Sequence, residues 1–155
     1  MMVRNATAAV NRMWLATRGT AAIEFAFIVP VLLILTLGVV EVGYSTYQAM
    51  QVQDAAEAGA IYVAKHGWSS AAITAAVTNA TGLAGVSATP APSQFCGCPT
   101  ASGVAAAACA STCAGGNRAG QYVQINAALT RQIILPASGL ILPTTLTGQA
   151  IVRVQ

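Results

Sequence analysis

Three patterns of apolar and polar positions divide the chain. An uncharged apolar run extends from Phe25 to Val40, with Ala21–Ile23 before it and Val42–Gly43 after it. Beyond it, Tyr44, Tyr47, Met50, Ala55, Ala58 and Ile61/Tyr62 recur at spacings of three to five, with Gln48, Gln51, Asp54, Glu57 and Lys65 mainly on other faces. That is an amphipathic helical pattern, and from Met50 to Tyr62 its small-residue stripe is expected to face the C-terminal domain. Pro30 removes one hydrogen bond and predicts a kink near the start of the run. Nothing between Val31 and Lys65 breaks the pattern. Lys65 and His66 suit the negative end of a helix dipole, and Gly67 suits a left-handed cap. One helix over 20–66 is therefore predicted, about 70 Å long at 1.5 Å per residue.

The rest of the chain reads differently. Ser69 or Ser70 can cap a short helix over roughly 70–80. Residues 82–120 are rich in Gly, Ala, Ser, Thr and Pro and predict a loop with at most one strand, near Val86–Thr89. "QYVQINAALT" alternates Val123, Ile125, Ala127 and Leu129 against Gln124, Asn126, Ala128 and Thr130. "GQAIVRVQ" does the same with Ala150, Val152 and Val154. Two strands with one buried face each are expected to pair antiparallel and pack on the long helix, with a third from residues 82–96. Pro136 and Pro143 break the segment between them into a hairpin excursion whose apolar tip is "SGLILP", free to meet membrane, a partner or the domain itself.

Composition sharpens the first pattern. Only 7% of residues are charged, against roughly 25% in an average soluble domain. Counted from Ala21 to Val42 the apolar stretch is about 22 residues, about 33 Å as a helix, enough for a hydrocarbon core of about 30 Å. Arg4, Arg12 and Arg18 precede it with no acid among them. That bias predicts a cytoplasmic N-terminus and an extracytoplasmic C-terminal region. The net charge of +3 forms no basic stripe with interleaved aromatics, so nucleic acid is not an expected partner. A cleaved secretory signal peptide fits poorly, because its apolar core should be only about 7–15 residues. Tyr44 and Tyr47 stand where an interfacial aromatic belt would lie. Gly38 and Gly43 would let a neighbouring helix approach closely.

One acid, Glu24, stands just inside the leading edge of the run. A charge at the bilayer centre costs about 2.5–3.5 kcal/mol, less near the edge. Glu24 could simply sit at the interface, or it could have a partner. The residues "RGTAAIEF" (Arg18 to Phe25) bear on this choice. They resemble the processing site of type IV prepilins, in which a membrane peptidase cuts after a glycine and a glutamate is fifth in the mature chain. Cutting between Gly19 and Thr20 would put Glu24 fifth. The longer stretch "RGTAAIEFAFIVPVLLILTLGVVEVGYSTY" is similar to the N-terminal region of TadE-like proteins, minor pilins or pseudopilins of the tight-adherence (Flp) pilus system. The carrying positions are Gly19, Ala21, Ile23, Glu24, Phe25, Pro30, Gly38 and Glu41. Phe25 stands where the major Flp pilins usually have tyrosine, and the chain is longer than theirs, which favours the minor component.

The resemblance implies that Glu24 pairs with the freed terminal amine of a neighbouring subunit, and a partner cation would remove most of the cost of a buried charge. It implies a type IV pilin-like α+β fold: a long N-terminal helix, membrane-spanning in its first half, packed by a small antiparallel β-sheet domain. The expected division is a basic, cleaved leader over 1–19, a transmembrane half over 20–43, an extracytoplasmic half over 44–67, and a small domain over 68–155. Prepilin peptidase, other pilin and Tad-system subunits, and inner-membrane lipid are the implied partners. The implied location is the bacterial inner membrane, single-pass, or the pilus outside the cell.

Four cysteines fall in the Gly/Ala-rich region: Cys96 and Cys98, then Cys109 and Cys113. Their C-x-C and C-x3-C spacing is not the usual zinc pattern. An extracytoplasmic location favours disulfides. Adjacent C-x-C residues are poorly placed to bond each other, so two links between 96/98 and 109/113 are expected within a loop over 90–117, their pairing open. TadE-like proteins often carry a Cys-x-Cys and two later cysteines here. The single histidine, His66, has no acidic or cysteine neighbours and is a poor base or ligand. The Asn79-Ala80-Thr81 sequon reads as chance in a chain of bacterial character. No nucleophile–base set, carboxylate pair or phosphate loop is visible, so no enzymatic activity, cofactor or metal is expected. Three classes of function stand: a TadE-like pilus-assembly subunit, an uncleaved membrane-anchored periplasmic adaptor of a pilus or secretion machine, and an adhesin carried by the cysteine loop.

Overall fold

The computed structural model describes residues 20–140 and 142–154. It is α+β: helix α1 (Thr20–His66), helix α2 (Ser70–Asn79), and strands β1 (Ser93–Thr100), β2 (Gly103–Ala106), β3 (Gly120–Thr130) and β4 (Thr145–Val154). A 3-10 turn over Pro136–Leu140 lies between β3 and β4. The chain divides between Val40 and Glu41 into two units.

The first unit is apolar helix. Pro30 lies inside α1, which runs through it without interruption. Phe25, Phe27, Leu33, Ile34 and Val39 are all exposed. The hydroxyl of Thr36 donates back to the carbonyls of Leu32 (2.9 Å) and Leu33 (3.0 Å), so this polar group is satisfied within its own helix, as an apolar surrounding requires. The helix is long and apolar enough to cross a membrane.

The second unit is built on the remainder of α1. The helix stops where its sequence says it should: Gly67 takes φ +79°, and its N–H donates to the Val63 carbonyl at 2.9 Å. The sheet order is β2-β1-β3-β4, antiparallel throughout. Val123, Ile125, Ala127 and Leu129 of β3 are buried with Leu146 of β4, Val52, Ala55, Ala56 and Val63 of α1, and Ile73 and Val77 of α2. The alternation read along β3 and β4 is thus the one that faces the core. Ser69 occupies the N-cap position of α2 in extended conformation, but its hydroxyl makes no capping bond.

Three expectations need correction. The expected stripe from Met50 to Tyr62 faces the domain only in part: Ala55 is buried and Tyr62 packs on the core, but Met50 and Ile61 point away. Tyr44, Tyr47, Met50 and Ile61 are exposed, while Glu41, Ser45, Gln48, Val52, Ala55, Ala56 and Val63 are buried. The domain approaches the helix closely at particular points. At Gly59 an added Cβ would stand 2.9 Å from both Ile125 Cγ2 and Val77 Cγ2. Second, residues 86–89 form no strand. Ser87 makes one isolated bridge to Ala128, exchanging N–H···O bonds of 2.9 and 2.8 Å, and the prolines at 90 and 92 that follow cannot donate to a ladder. Third, the cysteine region holds two strands, β1 and β2, where at most one was expected. The sequence hides β1 because its one buried position is a glycine and its neighbours Cys96 and Cys98 are only half-buried, so no apolar alternation marks it. Gly97 is buried, and a Cβ there would meet Val104 Cγ1 at 2.6 Å.

Candidate functional site

Thr20 is the first described residue and begins α1. Gly19, and with it the Gly19–Thr20 bond and the basic leader over 1–19, lies outside the described residues. Glu24 is exposed one turn into the helix. It shares its surroundings with the exposed side chains of Ile23, Phe25, Phe27 and Ile28. A carboxylate so placed is open to a cation carried by another molecule, and its apolar neighbours would exclude water from such a pair.

The second unit has exposed apolar side chains on α1 as well. Tyr44 and Tyr47 are half exposed and stack with ring centroids 6.4 Å apart. Met50 and Ile61 continue outward along the helix. Burying one such side chain is worth about 1.5–3 kcal/mol, so this outward row is a substantial unspent contact surface.

The other face of α1 carries a site that sequence reasoning missed. Glu41 is only 2% exposed, and its carboxylate is clamped by the segment that follows β3. Oε1 accepts from Arg131 Nη1 (3.3 Å), the Ile134 N–H (3.3 Å) and Ser138 Oγ (2.6 Å); Oε2 accepts from the Leu135 N–H (2.9 Å). The Arg131 side chain is 1% exposed, and its Nε and Nη2 have no partner among the described residues. Its charge is therefore answered by Glu41. The Arg131 N–H also donates to the Thr144 carbonyl at 2.8 Å, closing the base of the excursion between β3 and β4. In the sequence Glu41 is one of the positions that carry the TadE-like resemblance, with no structural role attached. The available signal was an arginine directly after a core strand and an acid directly after an apolar run, since neither charge could be buried without the other.

The cysteines pair as Cys96–Cys109 and Cys98–Cys113. Both bonds tie the β2–β3 connection to β1, whose Cys96 and Cys98 project from one face by strand alternation. The same connection is held by the Ala107 N–H to the Cys96 carbonyl (2.8 Å) and the Cys113 N–H to the Asn117 carbonyl (2.7 Å). Closures of 13 and 15 residues each restrict the unfolded chain by roughly 3 kcal/mol. Protein isolated from the cell envelope without reductant is expected to resist thiol alkylation until it is reduced. Full labelling before reduction would contradict this pairing. Among the described residues, no group of three or more His, Cys, Asp or Glu side chains is arranged to hold a metal ion.

A family model described as TadE-like protein matches residues 19–60. The match covers the region that carries the resemblance noted above and reaches along α1 past Glu41, Tyr44 and Tyr47. It stops before α2 and the sheet. Nothing matches the chain among curated proteins or among solved structures.

Proposed function

With a TadE-like N-terminal segment as the premise, we propose that this chain is a minor pilin or pseudopilin that takes part in assembly of a Flp (Tad) type IVb pilus. One observation carries the reading: α1 leaves large apolar side chains exposed not only over residues 23–42 but also at Tyr44, Tyr47, Met50 and Ile61, beside the domain. Lipid can cover the membrane part of such a helix. Beyond the membrane only protein can, and the domain uses the opposite face. A row of this kind on a helix suits packing against the helices of neighbouring subunits.

In this reading prepilin peptidase cuts after Gly19, and Thr20 becomes the mature N-terminus. Glu24 then faces the new terminal amine of an adjacent subunit within the bilayer. Only a correctly staggered neighbour would present that amine, so the pair favours correct register over misaligned contacts. The C-terminal domain stands outside the cytoplasm, where its two disulfides are stable.

Mass spectrometry of the protein from its native membrane tests the processing step. The expected mature chain starts at Thr20. A chain that starts at residue 1 or 2 would favour an uncleaved, membrane-anchored periplasmic adaptor instead. Glu24→Ala is expected to insert and be processed normally but to abolish pilus assembly, scored by electron microscopy of cells. Normal pili on that variant would remove Glu24 from the mechanism.

A further inference from the structure

The excursion between β3 and β4 places large apolar side chains in solvent. Leu140 is 90% exposed, Ile134 55% and Ile133 42%. A tip of this kind is normally free to swing, but this one is fastened. Ile134 and Leu135 donate their backbone N–H groups to Glu41, and Ser138 donates its hydroxyl to the same carboxylate. The Leu142 N–H returns to the Ser138 carbonyl at 2.8 Å, so the turn is also closed on itself.

The position of the fastening point decides the occupant. Glu41 directly follows Val40, the last residue of the apolar unit. An acid that ends a membrane span stands at the level of the lipid headgroups. Leu140 is two residues from Ser138, so its Cα lies within about 7 Å of the Ser138 Cα by the reach of an extended chain. The interfacial zone on each side of a bilayer is itself about 5–8 Å deep, from a thickness of about 40–45 Å around a core of about 30 Å. Counted through the Glu41 side chain and the Ser138 hydroxyl, the tip stays within about 17 Å of the Glu41 Cα, close enough for its side chains to reach that zone. The excursion also carries no acid or lysine from residue 132 to 144, so lipid contact buries no charge.

We propose that the 133–140 segment is a second, monotopic membrane contact: Leu140, Ile133 and Ile134 enter the headgroup–acyl boundary of the bilayer that α1 spans, and Glu41 holds them there. The inference rests on the membrane-anchor reading of α1. Its consequence is that the domain has two attachments to the bilayer, which restrict its tilt and its rotation about the helix axis.

The test uses the full chain reconstituted in phosphatidylcholine/phosphatidylglycerol vesicles. Leu140→Cys, and separately Ile133→Cys, is labelled with an environment-sensitive fluorophore without reductant, so the paired native cysteines stay unlabelled. Ser102→Cys, in the exposed β1–β2 turn, and Phe27→Cys, inside the apolar run, serve as references. Quenching is read with lipid spin-labelled near the top of the acyl chain and with aqueous iodide. The 140 and 133 probes are expected to be quenched several-fold more by the labelled lipid than the 102 probe, and to be shielded from iodide. Iodide quenching equal to that at 102 overturns the proposal. So does protection from both quenchers, which would mean that protein covers the tip. A lipid response at 27 without one at 140 and 133 removes this inference alone. No lipid response at 27 removes the anchor reading, and this inference with it.

Discussion

Glu41→Ala is expected to melt well below the wild-type protein, far more than Glu24→Ala, although both remove a carboxylate from the same helix. The difference lies in what each leaves behind. At position 24 the alanine joins an exposed apolar surface. At position 41 it abandons a buried guanidinium, two backbone N–H groups and a serine hydroxyl that converge on the carboxylate. A buried donor without an acceptor keeps its full desolvation cost, and a buried cation is the most expensive case. Glu41→Gln keeps the shape and one acceptor oxygen, so it should fall between the two. The double variant Glu41→Leu/Arg131→Met removes both charges together and should recover part of the loss, because a buried pair can often be replaced by apolar residues at little cost. Thermal unfolding of the detergent-solubilised chain, run as a double-mutant cycle, checks each step. Equal melting of wild type and Glu41→Ala would show that the clamp contributes nothing.

Gly148→Ala is expected to be among the most damaging single-methyl additions in the domain. A Cβ at this position would stand 2.7 Å from the Val52 carbonyl oxygen and 2.9 Å from the Val52 C and Gln53 Cα. These are helix backbone atoms and cannot rotate aside. Either β4 or α1 must move, and the pair of side-chain bonds that lock them would be strained with it: the Gln149 N–H to Gln53 Oε1 and Gln53 Nε2 to the Gln149 carbonyl, both 3.2 Å. Overpacking of this kind costs about 1–3 kcal/mol, and more where nothing can yield. Gly43→Ala is the control. Nothing lies within 4 Å of its would-be Cβ, and alanine is favoured over glycine inside a helix by about 1 kcal/mol. It should leave the melting temperature unchanged or raise it. If Gly148→Ala melts with Gly43→Ala, the close approach of β4 to α1 is not present in solution.

The two experiments examine contacts of different legibility. The clash at Gly148 could not be read from the sequence, where the alternation of "GQAIVRVQ" shows a strand but not what its first glycine approaches. In the fold, β4 begins at Thr145 and carries this glycine through its point of nearest approach to the helix. The same holds for the stripe of α1. By hydrophobic periodicity Tyr44, Tyr47, Met50 and Ile61 are the natural candidates for a core. They face outward, while the face toward the domain holds Glu41, Gln48, Val52, Ala55, Ala56 and Val63. A pattern rule assumes that a helix has one buried face. This helix serves a domain on one side and, in the assembly proposed for it, other subunits on the opposite side, so the size of a residue misleads as to direction.

Local chemistry alone determined a good deal about this protein. The length and purity of the apolar run, the stop at Lys65–Gly67, the alternation in β3 and β4, and the Gly19–Glu24 spacing are all properties of neighbouring residues, and neighbouring residues are sufficient to state them. Tertiary structure decided the rest: which face of α1 is buried, which cysteine meets which, that β1 and β2 exist, and that Glu41 and Arg131 share one site although 90 residues apart. Those outcomes depend on how closely two surfaces can approach. That distance is set by packing and by the pairing of buried charges across the whole domain, and no stretch of sequence contains it.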